Sequence, residues 1–116
     1  MENLWEIEVK DYGTMLSLSK EMDMDRINEF SNYINENLHP EKSKVFIINL
    51  ENVNFIDSMV LGILNNLRLR CEKKGGHVLL YMVKKGIIDM LNTSGLLNFF
   101  HVFQTEDELI EFNRHI

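Results

Sequence analysis

Hydrophobic positions along this chain follow two different periods, and the switches between them mark out its elements. Trp5, Ile7 and Val9 alternate with Leu4, Glu6 and Glu8, the two-residue period of a half-buried strand. Asp11-Tyr12-Gly13 supplies a turn, and the alternation resumes over residues 15–18, which predicts a hairpin. The period then lengthens. Met24, Ile27, Phe30 (with Ser31), Ile34 and Leu38 form one helical stripe among Asn, Glu, Asp and Arg. Asp23 is available to cap the first free amides of that helix. Val45-Phe46-Ile47-Ile48 is a continuous apolar run, as in a parallel strand covered on both faces.

A loop over 51–56 leads to Asp57-Ser58 and a second helix through about Lys74, which Gly75-Gly76 ends. Val78-Leu79-Leu80-Tyr81-Met82 is the next buried run, and a short helix is expected from Lys85 to Thr93 with Gly95 as its left-handed cap. Residues 99–103 read as a last strand. Thr105 and Glu108 have capping-box spacing ahead of Leu109, Ile110 and Phe112, and open a final helix. The order β-β-α-β-α-β-α-β-α predicts an α/β fold, with a mixed sheet whose antiparallel pair is the opening hairpin.

Composition narrows the function classes. With 116 residues, no linker and no internal repeat, the chain reads as one domain over residues 1–116. Twelve Lys and Arg stand against 18 Asp and Glu, a net charge of −6, which argues against a nucleic-acid binder. No apolar run approaches the roughly 18 residues of a membrane span. The first residues lack the basic and apolar regions of a signal peptide. A single cysteine, Cys71, makes no internal disulfide, so a cytoplasmic protein is expected. A monomer is the expectation for a domain this small whose hydrophobic residues are largely accounted for by core stripes.

Little catalytic chemistry is visible. Asp57-Ser58 stands at a helix N-terminus, where free amides and the helix dipole favour negative charge. Either residue can cap the helix there, and a phosphate on the serine would be tolerated. The helix that follows is more apolar than one core stripe requires. Val60, Ile63, Leu64, Leu67 and Cys71 share a stripe, Met59 and Leu61 flank it, and Leu69 lies opposite. The excess is either a contact surface around Met59, Val60 and Ile63 or a helix buried between sheet and neighbours. Cys71 with His77 is a weak nucleophile–base pair beside the commoner reading of a core cysteine. His39, His77, His101 and His115 have no ligand spacing, so no metal or cofactor is expected. Arg68, Arg70, Lys73, Lys74, Lys84 and Lys85 form a modest basic cluster, which is either a solvated face or a surface for an acidic partner. With no Ser-His-Asp arrangement and no carboxylate pair, the chain reads as a binding module, not an enzyme.

Several segments resemble the STAS domain of bacterial anti-sigma-factor antagonists. These are Phe46-Ile47-Ile48-Asn49-Leu50, Val53-Asn54-Phe55-Ile56-Asp57-Ser58, Leu61-Gly62, Gly75-Gly76-His77-Val78, Leu91-Asn92-Thr93-Ser94-Gly95-Leu96 and Phe103-Gln104-Thr105. Leu18-Ser19-Lys20-Glu21-Met22-Asp23 is similar to the loop before that family's first helix. The resemblance implies a STAS fold and a partner switch. Ser58 would be phosphorylated by an anti-sigma factor that is a serine kinase of histidine-kinase-like ATPase fold, and dephosphorylated by a PP2C-type phosphatase. The unphosphorylated chain would bind the anti-sigma factor and so free a sigma factor. Asp57 would neighbour the phospho-acceptor, and Asp23 would match an acidic loop residue near it. Asp23, Asp57, Ser58, Met59, Val60 and Ile63 are the expected partner-binding residues.

Two departures stand out. The family usually has Ser or Thr and then Gly after the acceptor, where this chain has Met59 and Val60, and Lys20 replaces a common glycine. They leave open a constitutive adaptor that holds a signalling or transporter partner without phosphorylation.

Overall fold

Alternation in the strands divides the core into two layers, one on each side of a single sheet. The computed structural model describes residues 5–19 and 24–116. Strands β1 (Trp5–Lys10), β2 (Gly13–Ser19), β3 (Val45–Asn52), β4 (His77–Tyr81) and β5 (His101–Phe103) are hydrogen-bonded in chain order. β1 and β2 form the predicted antiparallel hairpin, while β2, β3, β4 and β5 run parallel. Helices α1 (Ile27–Asn37), α2 (Ser58–Lys73), α3 (Lys85–Thr93) and α4 (Glu106–Arg114) complete the expected α/β order.

Leu16, Leu18, Phe46, Ile48, Val78 and Leu80 face one side of the sheet and pack with Phe30 and Ile34 of α1, five residues of α2, and Ile87 and Leu91 of α3. Their alternate neighbours Met15, Val45, Ile47 and Leu79 face the other side, where α4 covers them with Leu109, Ile110 and Phe112. Three helices on one face and one on the other explain why β3 reads as an unbroken apolar run.

Three local outcomes differ from the sequence expectation or lie beyond it, and a fourth agrees with it. Asp23 and the side chain of Met24 lie outside the described residues. A 3-10 turn, Met24–Arg26, precedes α1, whose N-cap is Arg26 without a side-chain cap. The last strand is shorter than 99–103, because Leu97–Phe99 forms a second 3-10 turn and pairing begins only at His101. Gly95 takes the expected left-handed backbone, φ 78°.

The capping box of α4 is complete. The Glu108 amide donates to Thr105 Oγ1 at 3.2 Å, and Glu108 Oε1 accepts from the amides of Gln104 (2.8 Å) and Thr105 (2.9 Å). Those backbone bonds, Gln104 first, hold the Glu108 carboxyl below its ordinary value. A lowered folded-state pKa contributes stability above the unfolded value, lost as pH falls through the folded one. Thr105→Ala is expected to cost about 1 kcal/mol in urea unfolding at pH 7. Glu108→Gln is expected to flatten the acid limb of the stability profile.

Candidate functional site

The loop from β3 to α2 is anchored by two residues and presents the rest. Val53 and Ile56 are fully buried, and the Val53 amide donates to the Leu50 carbonyl at 3.0 Å. Between and after these anchors, Asn54, Phe55 and Ser58 are exposed and Asp57 is half-buried. Asp57 is the N-cap of α2: its Oδ1 accepts from the Met59 amide at 2.8 Å, and its carbonyl accepts from the Leu61 amide at 3.1 Å. The choice between Asp57 and Ser58 as cap therefore falls to Asp57. Ser58 is the first helical residue, exposed, and its hydroxyl is not engaged in capping.

The two largest exposed apolar side chains here flank the serine in sequence, Phe55 at 57 % and Met59 at 48 % exposure. Phe55 was not among the expected site residues. The signal for it is the loop alternation, in which buried Val53 and Ile56 leave Phe55 pointing away from the core.

Val60 requires a correction. It is fully buried in the layer beneath α2, so it is a core residue and cannot touch a partner. Ile63 is half-buried and packs against the same layer. The apolar excess of α2 is mostly explained by burial on more than one stripe, since Val60, Leu61, Leu64, Leu67, Arg68 and Cys71 are all inside. Met59 and Leu69 are the exposed exceptions.

Arg68 is also corrected. It is not part of a solvated basic face but 8 % exposed. Its guanidinium donates to Glu72 at 2.6 Å and to Asn65 at 3.0 and 2.9 Å, and lies 5.3 and 5.6 Å from the ring centroids of Phe99 and Phe100. Partners on α2 neutralise the charge, and the aromatic rings take up its flat face. Arg68 thereby ties the second 3-10 turn to α2.

Cys71 and His77 do not form a pair. Cys71 is buried in the three-helix layer, while the ring of His77 lies 5.3 Å from that of Phe112 on the α4 side. Burial pushes the Cys71 thiol up to about 11. The thiolate is the reactive form, so alkylation by iodoacetamide at pH 8 is expected to be negligible in the folded chain and rapid in urea. Among the described residues, no group of three or more His, Cys, Asp or Glu could hold a metal ion. No helix among them is long and apolar enough to cross a membrane.

A capped helix N-terminus with an exposed serine, on a mixed sheet read in chain order, agrees with a match to the family model of the STAS domain over residues 5–109. The chain belongs to the STAS domain family. Solved STAS structures share its fold. Against SpoIIAA, an anti-sigma factor antagonist, the TM-score is 0.77 at 21% identity over 97% of each chain for the unphosphorylated form. Against the phosphorylated form of SpoIIAA, described as a Bacillus cell fate determinant, it is 0.71 at 21% identity over 92% of this chain and 96% of that one. An anti-sigma factor antagonist from Mycobacterium paratuberculosis gives 0.81 at 22% identity, covering 95% and 92% of the two chains. A sulfate transporter family protein from Wolinella succinogenes gives 0.71 at 21% identity, covering 87% and 84%.

Proposed function

We propose that this STAS protein is an anti-sigma-factor antagonist switched at Ser58. Unphosphorylated, it binds an anti-sigma factor that is also its serine kinase, and a sigma factor is freed. Phosphorylation ends that complex, and a PP2C-type phosphatase restores it. The observation that carries this reading is the division of labour at α2. Asp57 supplies the cap, so the Ser58 hydroxyl stands exposed in the first helical turn and can take a phosphate without unmaking the helix end. A phosphate there faces free amides and the positive end of the helix dipole. Phe55 and Met59 are the apolar contacts a partner would cover. That SpoIIAA has been solved in a phosphorylated form supports the same chemistry in this fold.

The test is incubation with ATP and an ATPase-type anti-sigma factor from the same genome, followed by mass spectrometry. Phosphate on Ser58, absent in Ser58→Ala, is the expected result. A partner that binds and never modifies Ser58 would overturn the switch. Exposed Met59, at the position where the family usually has Ser or Thr, favours a second reading, a constitutive adaptor. The two separate on one pair of variants. An adaptor loses its partner in Met59→Glu and behaves normally in cells as Ser58→Ala, whereas a switch is locked on by Ser58→Ala.

A further inference from the structure

Strands β3 and β4 pair from Val45↔His77 to Asn49↔Tyr81, so the loops that follow them, 53–57 and 82–84, leave the sheet side by side. Lys84 joins them: its ammonium donates to Asn54 Oδ1 at 2.8 Å, across 30 residues of chain. The backbone behind Lys84 is held firmly. Met82 has φ 56°, a left-handed value that non-glycine residues rarely take and that persists where the surroundings impose it. The Met82 amide donates to the Phe103 carbonyl at 2.9 Å, and Gln104 Nε2 donates to the Val83 carbonyl at 3.1 Å. The first turn of α3 closes on the same loop, since a Cβ on Gly86 would lie 3.6 Å from the Asn54 carbonyl.

The needs of α3 do not explain the lysine. Lys84 is its N-cap, where Ser, Thr, Asp and Asn are favoured and a cation opposes the helix dipole, and its side chain makes no capping bond. The next residue, Lys85, has its own partner in Asp89 at 3.4 Å. What Lys84 does is hold a positive charge against Asn54, in the loop that leads into Ser58.

We propose that Lys84 is the cation that receives a phosphate on Ser58, its ammonium leaving the neutral Asn54 amide for the phosphoryl oxygens. This rests on the reading of Ser58 as a phospho-acceptor. The bond to Asn54 joins a charge to a dipole, whereas a bond to the phosphate joins two opposite charges, so the phosphoryl oxygens are the stronger acceptor. The flexible lysine stem lets the head move without the backbone. The modification would therefore release the 53–57 loop from the 82–84 loop, so that the start of α3 reports the state of Ser58.

The experiment uses the full chain with phosphoserine installed at position 58 during translation, so it answers whether or not any kinase acts. Phosphorus NMR then follows the second ionisation of the phosphate, which lies near pH 6 in free phosphoserine. The helix end acts equally in all variants, and Asp57, the acid adjacent in sequence, is unchanged. Lys84→Met is expected to raise that midpoint by about half a pH unit at low salt, and Lys84→Arg to restore it. The difference is expected to shrink at 1 M salt. Lys85→Met should leave it in place. Equal midpoints in the parent, Lys84→Met and Lys84→Arg would overturn the proposal. A chain that no kinase modifies, titrating with the Lys84 difference intact, would instead overturn the switch and keep the phosphate contact.

Discussion

Ser58→Asp is expected to leave the chain folded and to weaken the proposed complex with an anti-sigma factor by at least about tenfold, with true phosphorylation exceeding a hundredfold. The two effects separate because the new charge meets two different surroundings. Within the chain it falls in the first turn of α2, where a negative group is favoured by about 0.3–1 kcal/mol. Repulsion from Asp57 opposes this, and solvent screens both, since Ser58 is exposed. Thermal unfolding should therefore shift by no more than a few degrees. In the complex, the same charge would be carried into an interface beside Phe55 and Met59, desolvated and brought near partner acids. A penalty of roughly 3 kcal/mol is more than a hundredfold in affinity. A phosphate brings about −1.5 to −2 charges where aspartate brings one, and more bulk, so the mimic gives the smaller effect. Calorimetry against the partner, with scanning fluorimetry on the same samples, checks both halves. Full affinity for the phosphorylated chain would exclude an electrostatic switch at this position.

The largest loss of stability is expected at Phe30. The ring is fully buried in the layer under α1, and its centroid lies 5.6 Å from that of Trp5 on β1. Trp5 in turn lies 5.4 Å from the ring of Tyr33. These three rings join α1 to the opening hairpin, so Phe30→Ala removes packing from two elements at once. Truncating a buried Phe costs about 3–5 kcal/mol, against a total stability of roughly 5–15 kcal/mol for an ordinary domain. With a urea slope of about 2 kcal/mol per M, the unfolding midpoint should drop by roughly 2 M. Phe55→Ala is the control. It removes the same ring from a surface position and should change stability by less than about 0.5 kcal/mol. It should nonetheless weaken partner binding, which separates the core role of one phenylalanine from the contact role of the other.

Much of the architecture is legible one residue at a time. The hairpin, the apolar strands β3 and β4, α3 with Gly95, and the Thr105–Glu108 box all follow from local rules: period, turn chemistry and capping. The elements that differ are those decided at a distance. Residues 97–99 carry the β-favouring Phe99, yet they form a turn whose Phe99 ring lies against Arg68, 31 positions earlier. The serine itself is equally legible as a candidate, because Asp-Ser before an apolar helical run is a local pattern. Its availability is not, since two adjacent capping residues compete and only the geometry of the Met59 amide chooses Asp57.

Period and composition established the layered α/β order, the acidic balance and the helix end at Asp57-Ser58, because each depends on near neighbours in the chain. Which apolar residues of α2 are core and which are surface depended on what packs above it. Periodicity puts Val60 on the apolar stripe and Met59 beside it, and leaves open whether that region is core or contact surface. The sheet and α1 bury Val60 completely and leave Met59 half in water. The same holds for charge. Arg68 and Lys84 are both basic residues of one apparent cluster, but folding encloses the first between an acid and two aromatic rings and sets the second against Asn54. Periodicity assigns a face to each residue of a helix, but only the neighbouring elements decide which faces meet water.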